Sequence, residues 1–224
     1  DGVTSISDFK EMGYTSEAMA NYMTLLGWSV PEGINERFKI SEISEVFSFE
    51  KVNKASAKFD WDKLNWINSQ VIHEMTAENL LEHLDPLFKE KEWYLPSQEW
   101  GLLLADLIGP SMVIINDGVD QAKPFFKEPE LSDEGKKQLK IKEAKLILNF
   151  ILKKLDNIDS GLFTEEEALD LINQASKNCE VKKGLIMKSL RAALFGTLNG
   201  PDLINSWVLL SRFSKDRRRI RRFL

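Results

Sequence analysis

The hydrophobic positions of this chain follow a helical period over most of its length. In the last third, apolar residues recur at spacings of three and four, as they do on one face of a long helix; these are Ile141, Ala144, Leu148, Ile151 and Leu155. No segment alternates apolar and polar residues with a period of two, and we find neither a β-hairpin signal nor an internal repeat. The pattern therefore predicts an all-α fold class.

The first strong helix signal covers residues 16–26. Thr15 or Ser16 can cap its first turn, and Gly27 is expected to take the left-handed conformation that ends it. The same periodicity predicts further helices over 41–47, 61–75, 97–108 and the stripe from Leu80 to Phe88, which Pro86 interrupts. Turns are expected between 109 and 129, because glycine and proline are frequent there.

Helix ends are clearest in the last third of the chain. Thr164 and Glu167 have the spacing of a capping box and predict a helix that begins there. Gly196 is expected to close a helix over 181–195, and Pro201 to lie in the first turn of a final helix.

The composition is that of a folded globular protein. The chain has 224 residues, of which 43% are hydrophobic and 29% charged, and this balance is typical of a folded globular protein. No apolar run approaches the roughly 20 residues that a membrane-spanning helix needs, and no membrane partner is expected. Cys179 is the only cysteine, which excludes a disulfide within the chain and makes a reduced intracellular compartment the simplest interpretation.

Catalytic and metal-binding motifs are not found in the sequence. We find no glycine-rich phosphate loop, HExxH, GxSxG or CxxC pattern. His73 and His83 are the only histidines, and no acidic cluster accompanies them at ligand spacing, so no metal site is predicted. The residues alone give no catalytic site, which argues against a free-standing enzyme.

The net charge of −5 excludes a globally basic protein. Two local basic features nevertheless indicate that the chain can bind a polyanion. Lysines alternate with Phe59, Trp61 and Trp66 between residues 51 and 66, so this segment can contact phosphates and stack on bases. Alternatively, its aromatics are buried and its lysines solvated. The last ten residues carry +5; they can bind phosphates or an acidic partner, or they can keep the terminus soluble.

Three blocks of residues carry a resemblance to a known family. The first block spans 1–33, the second combines Phe59-Asp60 with Lys63, Leu64, Trp66 and Asn68, and the third combines 190–194 with Gly196 and Gly200-Pro201. The matching positions of the first block are Gly2, Thr4, Ser5, Gly13, Tyr14, Glu17, Ala18, Asn21, Tyr22, Leu25, Leu26, Gly27, Trp28 and Ser29. In this order and spacing they resemble bacterial-type glutamyl-tRNA synthetases, with a loose match over 87–133.

The resemblance implies a domain organisation and a function. The chain would be the C-terminal half of such an enzyme: a stem-contact domain over 1–75 and two helical anticodon-binding subdomains over 76–123 and 124–224. The catalytic domain, which uses ATP and Mg, would precede Asp1, so this chain would be inactive alone. The implied partner is tRNA(Glu), with tRNA(Gln) an open alternative. A monomer is expected, in the bacterial cytoplasm or an organelle.

The resemblance also assigns roles to single residues. Ser29, Lys51, Asn53 and Lys63 match positions that contact the tRNA stem side, although relatives often have Ser where Asn53 stands. Arg191 matches an arginine that reads an anticodon base. An apolar surface for splayed anticodon bases is expected from four residues: Leu198, Pro201, Leu203 and Ile204. For all four, a role in a plain helix-turn-helix core is the alternative, and for Leu203 and Ile204 the two interpretations are equal.

One position departs from the family pattern. Some relatives carry an arginine near Ser111 that helps to reject the glutamine-tRNA anticodon, so Ser111 puts strict discrimination in doubt. The rival hypothesis for the whole chain is a helical protein-interaction scaffold, whose amphipathic faces dock partner helices and whose arginine-rich end binds an acidic ligand.

Overall fold

The computed structural model describes residues 5–53, 58–159 and 163–224. In these ranges the regular structure is helical, and an isolated antiparallel bridge joins Trp28 to Val52. The predicted all-α class is therefore confirmed.

The α-helices within the described ranges, numbered in chain order, are α1 (Ile6–Met12), α2 (Ser16–Gly27), α3 (Ile40–Ile43), α4 (Trp61–His73), α5 (Ala77–Glu90), α6 (Gln98–Ile108), α7 (Asp117–Phe126), α8 (Asp133–Leu139), α9 (Lys142–Leu155), α10 (Glu165–Asn178), α11 (Lys183–Phe195), α12 (Leu203–Ser211) and α13 (Lys215–Arg221). Two short 3₁₀ helices cover Phe49–Lys51 and Gly109–Ser111.

The chain divides into two compact units. The first comprises Asp1–Pro96 and Ile108–Asp120, and the second comprises Ser97–Leu107 and Gln121–Leu224. The predicted division of the chain into three segments stays a prediction.

The core of the first unit forms where α2 packs against α4. Its buried side chains are Phe9, Tyr14, Ala18, Met19, Tyr22, Leu64, Ile67 and Val71. Asn68 of α4 is fully buried, and its Oδ1 accepts hydrogen bonds from the backbone N and the Oγ1 of Thr15 at 2.9 and 3.0 Å. Thr15 in turn caps α2, as predicted, because its Oγ1 accepts from Ala18 N. The start of α2 is thus fixed to α4 by a satisfied polar group inside the core.

Two buried tryptophans stabilise the second unit through hydrogen bonds and ring packing. The indole Nε1 of Trp100 in α6 donates to the Leu209 carbonyl at 3.1 Å, and that of Trp207 in α12 donates to Asp216 Oδ2 at 3.0 Å. Phe163 packs on Trp207 with ring centroids 5.0 Å apart. The donor of each large apolar side chain is satisfied, so burial of these rings leaves no unpaired indole N–H.

Some predicted helix ends are confirmed. Thr164 and Glu167 form the predicted capping box, with Thr164 N donating to the carboxylate and Glu167 N donating to the hydroxyl. Gly196 closes α11 in the left-handed conformation at φ 75°.

Other predictions are wrong. Pro201 lies outside the helix it was expected to open, because Asp202 is the N-cap of α12. The turns expected over 109–129 include helix α7, which contains Pro124. Three short helices were not predicted: α1, α8, whose basic residues hide its period, and α13, which covers much of the arginine-rich end.

Gly27 is also not the left-handed cap that the sequence suggested. It is the last residue of α2, and no other atom lies within 4 Å of the place where a Cβ would be. We expect Gly27→Ala to stabilise the chain by about 0.5 kcal/mol, because alanine lowers the conformational entropy lost on helix formation. Thermal and urea unfolding would measure the change.

The matched control for this substitution is Gly13, the C-cap of α1. Its φ is 97°, and a Cβ there would lie 2.8 Å from Asn116 N. Gly13→Ala should therefore destabilise the first unit. Equal effects of the two substitutions would contradict this distinction between the two glycines.

Candidate nucleic-acid interface

The structure brings three of the four predicted stem-side residues together. Ser29 N donates to the Lys51 carbonyl at 3.1 Å, and Ser29 Oγ donates to Asn53 Oδ1 at 2.9 Å. Asn53 N donates to the Gly27 carbonyl at 2.9 Å. These bonds flank the bridge between Trp28 and Val52. Residues more than 20 positions apart in the sequence thus form one exposed polar cluster, which we call the Ser29 cluster (Ser29, Lys51 and Asn53).

Trp28 fixes the position of the Ser29 cluster. Its side chain is only 2% exposed, its indole Nε1 donates to the Ser48 carbonyl at 3.2 Å, and it packs with Phe38 and Ile43. The ring therefore fastens the end of α2 to the segment that carries Lys51. The Lys51 ammonium forms no ion pair with a carboxylate in the parts of the chain that the structure describes, so its charge is available to a ligand.

Lys63, the fourth stem-side residue, already has a carboxylate partner. Its Nζ lies 2.6 Å from Glu36 Oε1, and its side chain is 34% exposed. The Glu36 backbone is itself held, since its carbonyl accepts a hydrogen bond from Asn21 Nδ2 at 2.8 Å. A phosphate that binds Lys63 must therefore compete with Glu36.

The aromatic residues between 51 and 66 divide between interior and surface. Phe59 packs against Phe9 and Tyr22, with centroid distances of 5.7 and 5.0 Å, and contributes to the core. Trp61 and Trp66 remain 42% and 44% exposed. The buried alternative therefore holds for Phe59, while the two tryptophans can still contact a ligand. Lys54, in the same segment, lies outside the described residues.

Arg191 projects from α11 near the turn that precedes α12. The guanidinium lies close to Gly200, since a Cβ there would be 3.2 Å from Arg191 Nη1. Burial lowers the pKa of Arg191, and the carboxylate of Asp202 raises it. Arg191 makes no hydrogen bond or ion pair to any described residue. Its planar set of donors is thus left for a ligand.

The four residues predicted as an apolar surface differ in exposure. Leu198 and Pro201 are partly exposed, whereas Leu203 and Ile204 are only 1% and 8% exposed. The burial of Leu203 and Ile204 favours the core role that the sequence left open for them. Contact with bases stays a prediction for all four.

Ser111 lies in the first unit, at the end of the second 3₁₀ helix. Its Oγ donates to the Ile108 carbonyl at 2.9 Å, and the residue is exposed. The following loop is tied to α4, because Asn68 Nδ2 donates to the Val113 carbonyl at 2.6 Å. A role of Ser111 in discrimination stays a prediction.

The arginine-rich end is a feature whose role the sequence did not reveal. Arg219 is 1% exposed and donates to the carbonyls of Leu194, Pro124 and Lys127 at 2.6, 2.5 and 2.9 Å. Burial lowers the pKa of Arg219 to about 10, so the side chain stays protonated at neutral pH.

The other arginines of this segment are also engaged. Arg217 donates to the Leu155 and Ile158 carbonyls at 2.8 and 2.7 Å. Arg218 and Arg222 both pair with Glu128, and Arg221 pairs with Asp156 at 2.7 Å. Arg217 and Arg219 therefore stabilise the second unit from inside, while Arg218, Arg221 and Arg222 form ion pairs at its surface.

No group of three or more His, Cys, Asp or Glu side chains among the described residues lies close enough together to hold a metal ion. None of the helices in the described ranges has the length and apolarity to cross a membrane.

The described residues thus form helices that carry a polar cluster around Ser29 in the first unit and an unpaired arginine, Arg191, in the second. A family model described as "Anticodon binding domain" matches residues 75–224. The chain belongs to the anticodon-binding-domain family. A second model, described as "tRNA synthetases class I (E and Q), catalytic domain", matches residues 2–66.

Individual proteins similar to this anticodon-binding-domain protein are glutamate–tRNA ligases. A glutamate–tRNA ligase of Prochlorococcus marinus (strain NATL2A) is 80% identical over all 224 residues. A crystal structure of glutamate-tRNA synthetase from Elizabethkingia anophelis is 26% identical, with a TM-score of 0.84 over 96% of this chain and 41% of that one. A glutamate tRNA ligase from Elizabethkingia meningosepticum, solved in complex with its amino acid, shares the fold at 24% identity and a TM-score of 0.87, over 99% of this chain and 44% of that one.

These comparisons confirm the predicted resemblance to bacterial-type glutamyl-tRNA synthetases. The chain spans 47% of the length of the Prochlorococcus relative, about half of it.

Proposed function

We propose that this chain is the tRNA-binding part of a glutamate–tRNA ligase. The observation that carries the proposal is the match of residues 75–224 to the anticodon-binding family, on a chain 80% identical to a glutamate–tRNA ligase. The exposed Ser29 cluster and the unpaired guanidinium of Arg191 support it. No observation favours the rival, a protein-interaction scaffold without RNA binding.

The chemistry of the whole ligase would belong to the remainder of the enzyme. There, glutamate would be activated with ATP and Mg and transferred to tRNA(Glu). Binding of the glutamine transcript in the titration below would add tRNA(Gln) as a further partner. This chain would be inactive alone and act as a monomer in the cytoplasm, or in an organelle. We retain the division into a stem-contact domain over 1–75 and anticodon-binding subdomains over 76–123 and 124–224.

On the stem side, the Ser29 cluster would bind the sugar-phosphate backbone. Lys51 offers a compact charge, and Ser29 and Asn53 offer hydrogen-bonding groups held by the bridge to Trp28. Backbone contacts of this kind fix the register of the RNA but carry little sequence information.

On the anticodon side, Arg191 would read a base. RNA is recognised most specifically where bases are unpaired and splayed out, so that their edges meet planar donors. Leu198 and Pro201, both partly exposed, would pack against such bases. The partial burial of Arg191 would strengthen hydrogen bonds to a base, because water competes less for the guanidinium.

A titration of the chain with three tRNA transcripts tests the proposal. The transcripts carry the glutamate, the glutamine and an unrelated anticodon, and binding is measured at two salt concentrations. We expect binding that weakens steeply with salt, because phosphate contacts release counterions, and a preference for the glutamate anticodon. Equal binding of the glutamate and glutamine transcripts would indicate relaxed discrimination. No binding of any transcript would overturn the proposal for this chain.

Lys63→Ala should weaken the binding of all three transcripts about equally. A lysine that contacts phosphate carries no base information, and its loss should reduce the slope of log affinity against log salt by about 1. Lys39→Ala, an exposed lysine in the same unit, is the control and should leave affinity unchanged. A loss confined to one anticodon would remove Lys63 from the stem side.

A further inference from the structure

A strongly basic surface lies where α8 meets α9. Five lysines fall within ten residues, namely Lys136, Lys137, Lys140, Lys142 and Lys145, and Glu143 is the one acidic residue among them. The segment 136–145 therefore carries +4 in a chain whose net charge is −5. All five lysines are exposed. We call this set the α8–α9 lysine surface.

These lysines differ from the arginines of α13 in what they contact. The arginines are occupied by carbonyls and carboxylates of their own unit. Of the five lysines, Lys136 lies 3.4 Å from Asp133 Oδ1, and the others form no ion pair with a carboxylate in the described ranges. Apart from Lys136, the lysines of this surface are thus not neutralised by ion pairs within the described residues.

The surface is held rigidly beside α11. Gln138 Nε2 of α8 donates to Ser189 Oγ of α11 at 3.0 Å, and Ser132 N donates to the Gly196 carbonyl at 2.8 Å. A Cβ on Gly135 would lie 2.5 Å from that same carbonyl, so α8 approaches the end of α11 very closely. The lysines therefore keep a fixed position relative to the helix that carries Arg191.

Ser189 and Arg191 are two residues apart, which places them about 200° apart around the helix. Consequently α8 packs on the side of α11 that faces away from Arg191. A ligand that contacts both the lysines and Arg191 must extend around α11. An RNA strand is long enough and regularly charged, so it can do this.

We propose that the α8–α9 lysine surface binds the phosphate backbone of the tRNA arm whose unpaired bases reach Arg191. The inference rests on the proposed tRNA-binding function and adds a second contact area to it. Lysines suit this role because their compact ammonium groups bind phosphates as point charges without regard to sequence. The surface contributes affinity and salt dependence, whereas Arg191 contributes selectivity.

A pair of charge-matched triple variants tests the proposal on this 224-residue chain. The first variant combines Lys137→Gln, Lys140→Gln and Lys142→Gln. The control combines Lys153→Gln, Lys154→Gln and Lys177→Gln, which are exposed lysines of the same unit in the last turns of α9 and α10. Both variants lose three charges, and circular dichroism before and after heating verifies that each is folded.

We expect the first variant to bind every tRNA transcript roughly 10- to 100-fold more weakly at low salt, with a salt slope reduced by about 2 to 3. Its preference among anticodons should not change. The control should keep the affinity and slope of the unchanged chain.

Other outcomes separate the two proposals. If the unchanged chain binds no tRNA, the proposed function itself fails. If the chain binds tRNA and the first variant binds it equally well, the function stands and the RNA assignment of this surface is overturned; an acidic protein is then the remaining class of partner. An equal loss in both variants would mean that net charge alone matters, which also overturns the proposal.

Discussion

Arg219→Met should destabilise the second unit by about 3–5 kcal/mol, because each polar group that loses its partner inside a protein costs about 1–3 kcal/mol. Methionine fills much of the space of the arginine stem but offers no donors. Three carbonyls, the buried one of Leu194 and the partly buried ones of Pro124 and Lys127, would then lose their hydrogen bonds to the guanidinium. Urea unfolding followed by circular dichroism would measure the change in the free energy of unfolding.

Arg218→Ala is the control for this prediction. Arg218 is the neighbouring arginine of α13, its side chain is 66% exposed, and it pairs with Glu128 at the surface. Exposed ion pairs contribute about 0–1 kcal/mol, so this substitution should be nearly neutral. Equal effects of the two substitutions would show that charge near Glu128, rather than the three carbonyls, accounts for the stability.

Arg191→Ala should reduce the preference for the glutamate anticodon by about 1–3 kcal/mol, by analogy with other arginines that donate two hydrogen bonds to a base edge. The guanidinium is half-buried beside Gly200 and makes no hydrogen bond to the described residues, so its loss leaves no protein group unpaired. The free energy of unfolding should therefore change little. Competition binding between glutamate and unrelated transcripts would measure the preference.

Arg191→Lys separates charge from shape at the same position. Lysine keeps the positive charge but lacks the planar fork of donors. We expect it to retain the salt dependence of binding and to lose most of the selectivity. Unchanged selectivity in both variants would remove Arg191 from the anticodon site.

Local signals allowed many of the helix ends to be predicted. The capping box at Thr164 and the glycine at 196 act within one turn of chain, so the sequence around them is sufficient. Gly27 shows where such signals fail. A glycine after an apolar stripe is consistent with a left-handed cap, but here the chain is pulled into the bridge formed by Trp28 and Val52, a contact between residues far apart in sequence.

Only part of the candidate nucleic-acid interface could be predicted from the sequence. Resemblance to a family predicted Ser29, Lys51 and Asn53 as a group, and the bridge that unites them could not be seen in their spacing. The roles of Arg217 and Arg219 were missed because their partners are backbone carbonyls, which carry no sequence signal. The nearest hint was Ile220, an apolar residue within the basic run that is fully buried in α13.

The hydrogen bonds made by the arginines of α13 also bear on the rate of unfolding. Its arginines join residues that are distant in the chain: Arg217 reaches Leu155, and Arg219 reaches Pro124 and Lys127. Contacts of such high sequence separation require large loops to close first, so we expect them to form late in folding. Interactions absent from the folding transition state slow unfolding while leaving the folding rate nearly unchanged. We therefore expect loss of the arginine network to speed unfolding of the second unit more than it slows folding.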